Sequence, residues 1–203
     1  MKRKLAAIVS FALLICAHVQ AQTADKAAEY MRRLAAAMES MPAYTVRFTA
    51  AAGDTETISG RYEVDGSRYH ISVAGTEVYG DDKVRREIDN THREIVVDEA
   101  DTSSHNLLTN PVHGFRFLGD DYIPRLCSEA DGRAVVALTP VAKGGMAEVI
   151  TVTLATSDAL PQQICYDADG ETVTIVIESI AKGADVADFD AAGYPGYEII
   201  DFR

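Results

Sequence analysis

The sequence predicts a mainly β fold of the α+β kind. One highly curved antiparallel sheet forms an incomplete β-barrel, with an N-terminal amphipathic helix and a short helical lid against its concave face. Three observations predict this fold. Apolar residues recur at steps of three and four between residues 24 and 41, they alternate with polar residues over most of 43–180, and the alternation stops between 100 and 114. No linker or low-complexity stretch divides residues 22–203, so we expect one domain.

Residues 1–21 have the features of a secretory signal peptide. A basic start at residues 2–4 precedes an apolar run, and Val19-Gln20-Ala21 supplies the cleavage site. The run is too short to span a bilayer. Cleavage after this tripeptide is therefore predicted, giving a periplasmic chain that begins at Gln22. A competing interpretation is lipidation at Cys16, but that reaction requires a small residue before the cysteine, where this sequence has isoleucine.

The charge of the exported chain argues against some partners. Removal of residues 1–21 takes away three of the 19 basic side chains and none of the 31 acidic ones, which leaves 16 basic side chains and a net charge of −15. Because no basic stripe remains, a nucleic-acid partner is not expected. An acidic surface suits a shuttle that must not adhere to anionic membranes, and it serves solubility equally well.

The helix is predicted over residues 24–41. Asp25 or Thr23 can cap its start and Pro42 ends it. Its apolar stripe, which is expected to pack against the sheet, consists of Ala27, Tyr30, Leu34, Met38 and Met41.

Strands follow, with a period of two. The first three are predicted around Tyr44–Phe48, Ile58–Val64 and Tyr69–Val73, with an Asp65-Gly66 turn between the second and third. Weaker alternation predicts strands at 82–88 and 93–99. Five more are predicted at 122–128, 133–139, 147–154, 162–166 and 172–180, and residues 189–203 form a final extended segment.

Residues 100–114 are predicted to form a short helix or helical loop that carries Leu107 and Leu108. Cys127 and Cys165 fall on strands expected to be separated by two others. An oxidising compartment permits these cysteines to pair, and whether they do is left open.

No motif for catalysis or metal binding is recognisable. The histidines of the exported chain lack metalloprotease spacing, and the sequence has no nucleophile elbow, P-loop or dinucleotide fingerprint. A faint calcium-loop pattern at 167–171 is better explained as a hairpin turn. We therefore expect a binding protein without a cofactor or metal, not an enzyme.

The order of elements resembles the LolA family, the periplasmic lipoprotein carriers of Gram-negative bacteria. The similar segments are Ala43-Tyr44-Thr45-Val46-Arg47-Phe48 after the helix, Gly60-Arg61-Tyr62-Glu63-Val64, Tyr79-Gly80-Asp81-Asp82-Lys83, Leu138-Thr139-Pro140, and the closing run from Asp188 to Arg203. The closing run is the most specific of these, and it looks most like carriers from the Bacteroidetes.

The chain departs from the family at the lid. Many members have Arg-Pro before the strand that here contains Tyr69, and that arginine holds the lid closed. This sequence has Val64-Asp65-Gly66-Ser67-Arg68, and Arg68 faces away from Tyr69 by alternation. Whether the lid is latched, and whether cargo is handed over by the family's usual route, is left open.

Apolar residues that share one face by alternation are predicted to line a lipid-binding cavity. Burial of an acyl chain contributes about 0.8 kcal/mol per CH₂, so a partly filled groove is enough to hold lipid. The alternative is an ordinary dry core under the helices. The predicted lining residues are Tyr44, Phe48, Tyr62, Val64, Tyr69, Ile71, Ile95, Val97, Ile150, Val152, Val173 and Ile175, with Leu107 and Leu108 from the lid.

The resemblance implies a monomeric periplasmic carrier. It would bind the acyl chains of lipoproteins or other lipids, with an inner-membrane export complex as donor and an outer-membrane acceptor. The same half-barrel occurs in envelope-stress regulators, so a periplasmic sensor module that binds a protein partner is the alternative. The identity of the cargo is not predicted.

Overall fold

The computed structural model describes residues 23–102, 110–112, 115, 121–141, 149–168 and 170–203. The predicted signal peptide and most of the predicted lid, including Leu107 and Leu108, lie outside the described residues. Within those ranges, no helix is both long enough and apolar enough to cross a bilayer.

The apolar stripe near the start of the described chain forms one helix, α1, over residues 23–39. The predicted stripe residues Ala27, Tyr30, Leu34 and Met38 are buried, and Met31 is buried beside them. The helix ends two residues earlier than predicted. The amide of Met41 then bonds to the carbonyl of Met38, and Pro42 leads into the first strand.

Twelve strands among the described residues form a single sheet. Their bounds are β1 (Ala43–Ala52), β2 (Ile58–Asp65), β3 (Arg68–Val73), β4 (Thr76–Gly80), β5 (Val84–Asp89), β6 (Glu94–Glu99), β7 (Tyr122–Ala130), β8 (Arg133–Pro140), β9 (Val149–Ala155), β10 (Pro161–Ala168), β11 (Glu171–Lys182) and β12 (Glu198–Asp201). The order across the sheet is β12-β6-β5-β4-β3-β2-β1-β11-β10-β9-β8-β7. All neighbours are antiparallel except β12, which runs parallel to β6.

The sheet is open and curved. Its order has two ends, β12 and β7, so it is not a closed barrel. One buried cluster joins α1 to residues on β4 at one side, such as Val78, and on β8 at the other, such as Leu138. The strands from β4 to β8 number eight in the sheet order, and a flat sheet of eight strands would be about 35 Å wide. One helix is only about 10 Å across, so the sheet must wrap around α1 for both sides to reach it.

Cross-strand register shows which residues share the concave face. Val46 pairs with Tyr62, Tyr62 with Ile71, and Ile71 with Val78, and all four are buried in the α1 cluster. Paired residues on neighbouring strands point to the same side of a sheet. The alternation predicted for β1, β2 and β3 is therefore confirmed.

The same register overturns the predicted orientation of β6. Ile95 pairs with Ile88, which pairs with Glu77, and that row continues to Ser72 and Arg61 on the convex face. Ile95 and Val97 therefore face away from α1, and the prediction that they share the concave face is wrong. With Ile88 they form a second, separate buried cluster.

The C-terminal segment causes this reversal. It crosses the convex face and packs three aromatic rings, those of Phe189, Tyr194 and Tyr197, against the second cluster. Phe189 stacks on Tyr194 with ring centroids 5.7 Å apart, and Arg86 lies 5.3 Å over the Phe189 ring. The segment then adds β12 to β6, so the buried face of β5 and β6 is the outer one.

Two glycines in the sheet lie beneath aromatic rings. Gly60 pairs with Phe48, and Gly80 pairs with Tyr69. A methyl group on either glycine would overlap the partner's ring. Each ring therefore covers backbone that only glycine leaves accessible.

The two cysteines lie on β7 and β10, separated by β8 and β9 as predicted. Both are free thiols. Cys127 is the extra residue of a bulge in β7, at the edge of the sheet, where Pro124 also lies.

Candidate functional site

A cavity of about 300 Å³ lies between the C-terminal end of α1 and the adjoining ends of β1 and β2. Most of its described lining residues have apolar side chains, but polar atoms also form a large share of the lining surface, and Glu39 is the one charged residue among those described. The lining consists of Ala35, Met38, Glu39, Met41, Pro42, Tyr44, Val64, Gly66, Val112 and Phe115.

Local sequence explains why the cavity forms there. The stripe of α1 brings Ala35 and Met38 to the same side, and Pro42 turns the chain into β1. Gly66, with φ +64°, closes the β2–β3 hairpin, and its amide donates to the Pro42 carbonyl at 2.9 Å. The hairpin and the helix end are therefore held beside each other, because the left-handed turn places that amide toward the helix.

The far side of the cavity is formed by residues that follow β6. Phe115 is almost completely buried there, and Val112 packs against the main cluster. The Tyr44 hydroxyl donates to the Pro111 carbonyl over a long 3.4 Å. The neighbouring Asn110 is buried, and its amide nitrogen donates to the Asp101 carbonyl at 3.0 Å. These contacts place the described part of the predicted lid region against the cavity.

Tyr62 lies next to this lining on the concave face. It is 1% exposed, and its ring meets that of Tyr44 edge-on with centroids 6.2 Å apart. Burial, followed by the nearby Tyr44 and Tyr166, raises the pKa of Tyr62 well above its usual value. Its hydroxyl has no hydrogen-bond partner among the described residues. Leaving a buried hydroxyl unpaired costs about 1–3 kcal/mol, so this hydroxyl is an unusual feature of the core.

The predicted lining residues divide into four groups in the structure. Tyr44 and Val64 line the cavity. Seven others belong to the closed core beside the cavity: Phe48, Tyr62, Tyr69, Ile71, Ile150, Val152 and Ile175. Val173 is half-buried at the margin of that core. Ile95 and Val97 are on the convex side, and Leu107 and Leu108 lie outside the described residues.

Sequence reasoning missed most of the actual lining. Met38 and Met41 were assigned to helix packing, and Ala35, Val112 and Phe115 were not singled out. The signal for the methionines was present, because an apolar stripe that runs into a proline must end at a helix terminus, where packing is interrupted.

The apolar part of the concave face ends at β4. Beyond it, β5 presents Arg85 and Glu87 on this side, joined by a 2.7 Å ion pair. Their partners on β6 are Asp98 and Val96. The described concavity therefore has an apolar region under α1 and a charged region at the β5–β6 wing.

A polar network on the convex face fixes the C-terminal segment. Glu77 accepts hydrogen bonds from Tyr79, Tyr194 and Asn90, and His70 Nε2 lies 3.3 Å from its carboxylate. Burial tends to raise the pKa of Glu77, but the hydrogen bonds from Asn90, Tyr79 and His70 outweigh burial and leave the pKa lowered. Across the described ranges, no three histidine, cysteine or acidic side chains converge as metal ligands.

Comparison with known proteins gives relatives in structure alone. No family model matches the chain, and no curated protein matches it. An uncharacterized conserved protein from Thermus thermophilus has a TM-score of 0.55 at 8% identity, over 87% of this chain and 99% of that one. At that identity the likeness is one of fold.

Two further solved structures are more distant. A LolA superfamily protein from Nitrosomonas europaea has a TM-score of 0.42 at 11% identity, over 79% of this chain and 94% of that one. MucB of Pseudomonas aeruginosa, in its complex with MucA, has a TM-score of 0.46 at 15% identity. That match covers 80% of this chain and 59% of the other, so the chain spans under two thirds of that protein's length.

Proposed function

We propose that this chain is a periplasmic carrier that binds the acyl chains of lipoproteins or other lipids and shuttles them towards the outer membrane. One observation carries the proposal: a cavity of about 300 Å³, lined mostly by residues with apolar side chains, between the C-terminal end of α1 and the adjoining ends of β1 and β2. Ligand sites are typically concave, mostly apolar spaces of this size or larger. Receipt from an inner-membrane donor and delivery to an outer-membrane acceptor, which the sequence resemblance implies, belong to the same proposal.

The composition of the lining suits a variable apolar ligand. Met38 and Met41 contribute unbranched, polarizable side chains that adapt to irregular shapes. At about 30 Å³ per small group, the cavity holds on the order of ten heavy atoms, which is part of one long acyl chain. Ten buried CH₂ groups correspond to about 8 kcal/mol before the costs of association are subtracted.

A longer chain requires the cavity to widen. Polar contacts hold α1 among the described residues: Lys26, near the helix start, is 2.5 Å from Glu129 on β7, and Arg33, in the middle of the helix, donates to the Thr156 carbonyl at 3.0 Å. The C-terminal part packs through Leu34 and Met38. We infer that widening begins there, since apolar contacts carry no directional requirement and re-form against an inserted chain.

Filling the cavity tests the proposal. Ala35→Trp adds an indole where Ala35 lines the cavity, whereas Ala36→Trp makes the same change at the next residue, which is exposed. A non-polar fluorescent probe, N-phenyl-1-naphthylamine, is titrated into both variants and the wild type. We expect Ala35→Trp to weaken probe binding at least tenfold and Ala36→Trp to leave it unchanged, with both proteins folded by circular dichroism.

Mass spectrometry of an organic extract of the purified protein identifies any co-purifying lipid. If the probe does not bind the wild type and no lipid is extracted, the carrier proposal is refuted. The hypothesis of a partner-binding sensor module then takes its place.

A further inference from the structure

The buried hydroxyl of Tyr62 stands out from the apolar surface around it. Phe48 packs against the Tyr62 ring with centroids 6.0 Å apart, and Val46 and Ile71 are its direct cross-strand neighbours. A phenylalanine at position 62 would make the same ring contacts without burying a polar atom. The hydroxyl has no hydrogen-bond partner among the described residues, so it makes no polar contact that would offset the cost of its burial.

The Tyr62 ring lies directly behind the lining of the cavity, although Tyr62 is not itself one of the lining residues. Val64, two residues further along β2 on the same face, lines the cavity, and so does Tyr44, whose ring touches that of Tyr62. Tyr44 is tied to Pro111 through a hydrogen bond of 3.4 Å, which is longer than the usual range for a hydroxyl donor. A chain that enters the cavity and moves Tyr44 aside therefore meets Tyr62 next.

We propose that the Tyr62 hydroxyl donates a hydrogen bond to the carbonyl oxygen of the cargo's ester- or amide-linked acyl group. In this role Tyr62 is a specificity residue, because it favours acylated molecules over hydrocarbons of the same size. The inference rests on the proposed carrier function and names the chemical group that the carrier recognises.

The surroundings favour a neutral carbonyl over a carboxylate. The described lining contains no cationic side chain to offset the loss of hydration that a carboxylate would suffer on entering the cavity. Because burial raises its pKa, Tyr62 stays protonated and remains a donor across the physiological range. A hydrogen bond formed in such a dry site is stronger than one exposed to water.

Tyr62→Phe tests the inference with two ligands close to the cavity in size, methyl octanoate and decane. Each competes with N-phenyl-1-naphthylamine for the purified protein. We expect Tyr62→Phe to weaken binding of methyl octanoate about fivefold, the value of a typical neutral hydrogen bond, and to leave binding of decane unchanged. The urea midpoint of the variant should equal or exceed that of the wild type, because an unpaired buried hydroxyl is removed.

Tyr79→Phe is the matched control. It removes a hydroxyl on the convex face that donates to Glu77, so it should leave the affinities for both ligands unchanged. Infrared spectroscopy gives a readout that a merely structural role would not move. The carbonyl band of isotopically labelled methyl octanoate should lie at lower frequency in the wild-type complex than in the Tyr62→Phe complex.

The outcomes separate the two proposals. Equal losses for ester and hydrocarbon, or an unshifted carbonyl band, would overturn the role of Tyr62 and leave the carrier function standing. If neither ligand nor the probe binds the wild-type protein, both proposals fail together.

Discussion

The packing of Phe48 over Gly60 predicts a strong energetic coupling between these two residues. Gly60→Ala places a methyl group inside the space of the Phe48 ring, which must then shift within a fully buried core. Overpacking of this kind costs about 1–3 kcal/mol. Phe48→Ala alone should cost about 3–5 kcal/mol, because Phe48 is completely buried.

The double variant shows whether the contact is the cause. Without the ring, an alanine at position 60 has room, and it should stabilise the strand by about 0.5–1 kcal/mol because glycine is entropically unfavourable there. The effect of Gly60→Ala on stability therefore changes sign between the two backgrounds, which corresponds to a coupling energy of about 1.5–4 kcal/mol.

Urea denaturation of the wild type, both single variants and the double variant measures this coupling. Gly193→Ala serves as the control, since no atom lies within 4 Å of the added methyl group and the change should be within about 0.5 kcal/mol. Additive effects of Gly60→Ala and Phe48→Ala would refute the reasoning, and with it the close approach of the ring to the backbone.

Three further predictions concern the thiols, the C-terminal segment and export. Cys127 is exposed and Cys165 is half-buried, so Ellman's reagent should label one thiol quickly and the other slowly, whereas a chain with no reactive thiol would contradict the structure. Hydrogen bonds from Arg203 lower the pKa of Asp201 to about 2, so any stability it contributes is present above the ordinary carboxyl pKa and is lost as the pH falls towards 2. NMR titration should show that midpoint, and Arg203→Ala should return it towards the ordinary carboxyl value; an unchanged midpoint would argue against the pair. N-terminal mass analysis of the exported protein should give a start at Gln22, and a diacylglyceryl group on Cys16 would refute this.

The elements with strong periodicity were predictable from sequence. In β1, the residues Tyr44, Val46 and Phe48 alternate with polar neighbours, because one face of the strand packs on α1 and the other meets solvent. The stripe of α1 was equally clear, since its period matches a helix that is buried on one side only. In both cases a single buried face imposes a single pattern.

The orientation of β6 could not be predicted in this way. Ile95, Val96 and Val97 are consecutive and all apolar, so alternation does not distinguish the faces. Which face of β6 is buried depends on the aromatic residues of the C-terminal segment, which are about a hundred positions away in the chain. β4 was missed because Tyr79-Gly80 resembles a turn, whereas Gly80 is the residue that makes room for the Tyr69 ring.

The cavity was predictable as a class of site but not in position. Sequence shows that the face containing Tyr44 and Val64 is apolar, but it does not show where the helix stops covering that face. This depends on where α1 ends and how the chain turns at Pro42. A dry core and a ligand cavity have the same alternation, and they differ only in how completely neighbouring elements fill the space.

An open sheet has two edge strands whose backbone groups can pair with other chains, and β7, the end strand on one side of the described sheet, has features that limit this hazard. Pro124 lacks an amide proton, and the bulge at Cys127 breaks the regular spacing that an incoming strand needs. At the opposite edge β12 is only four residues long. Because this sheet does not close on itself, its protection against edge-to-edge association with other chains has to come from the two edge strands themselves.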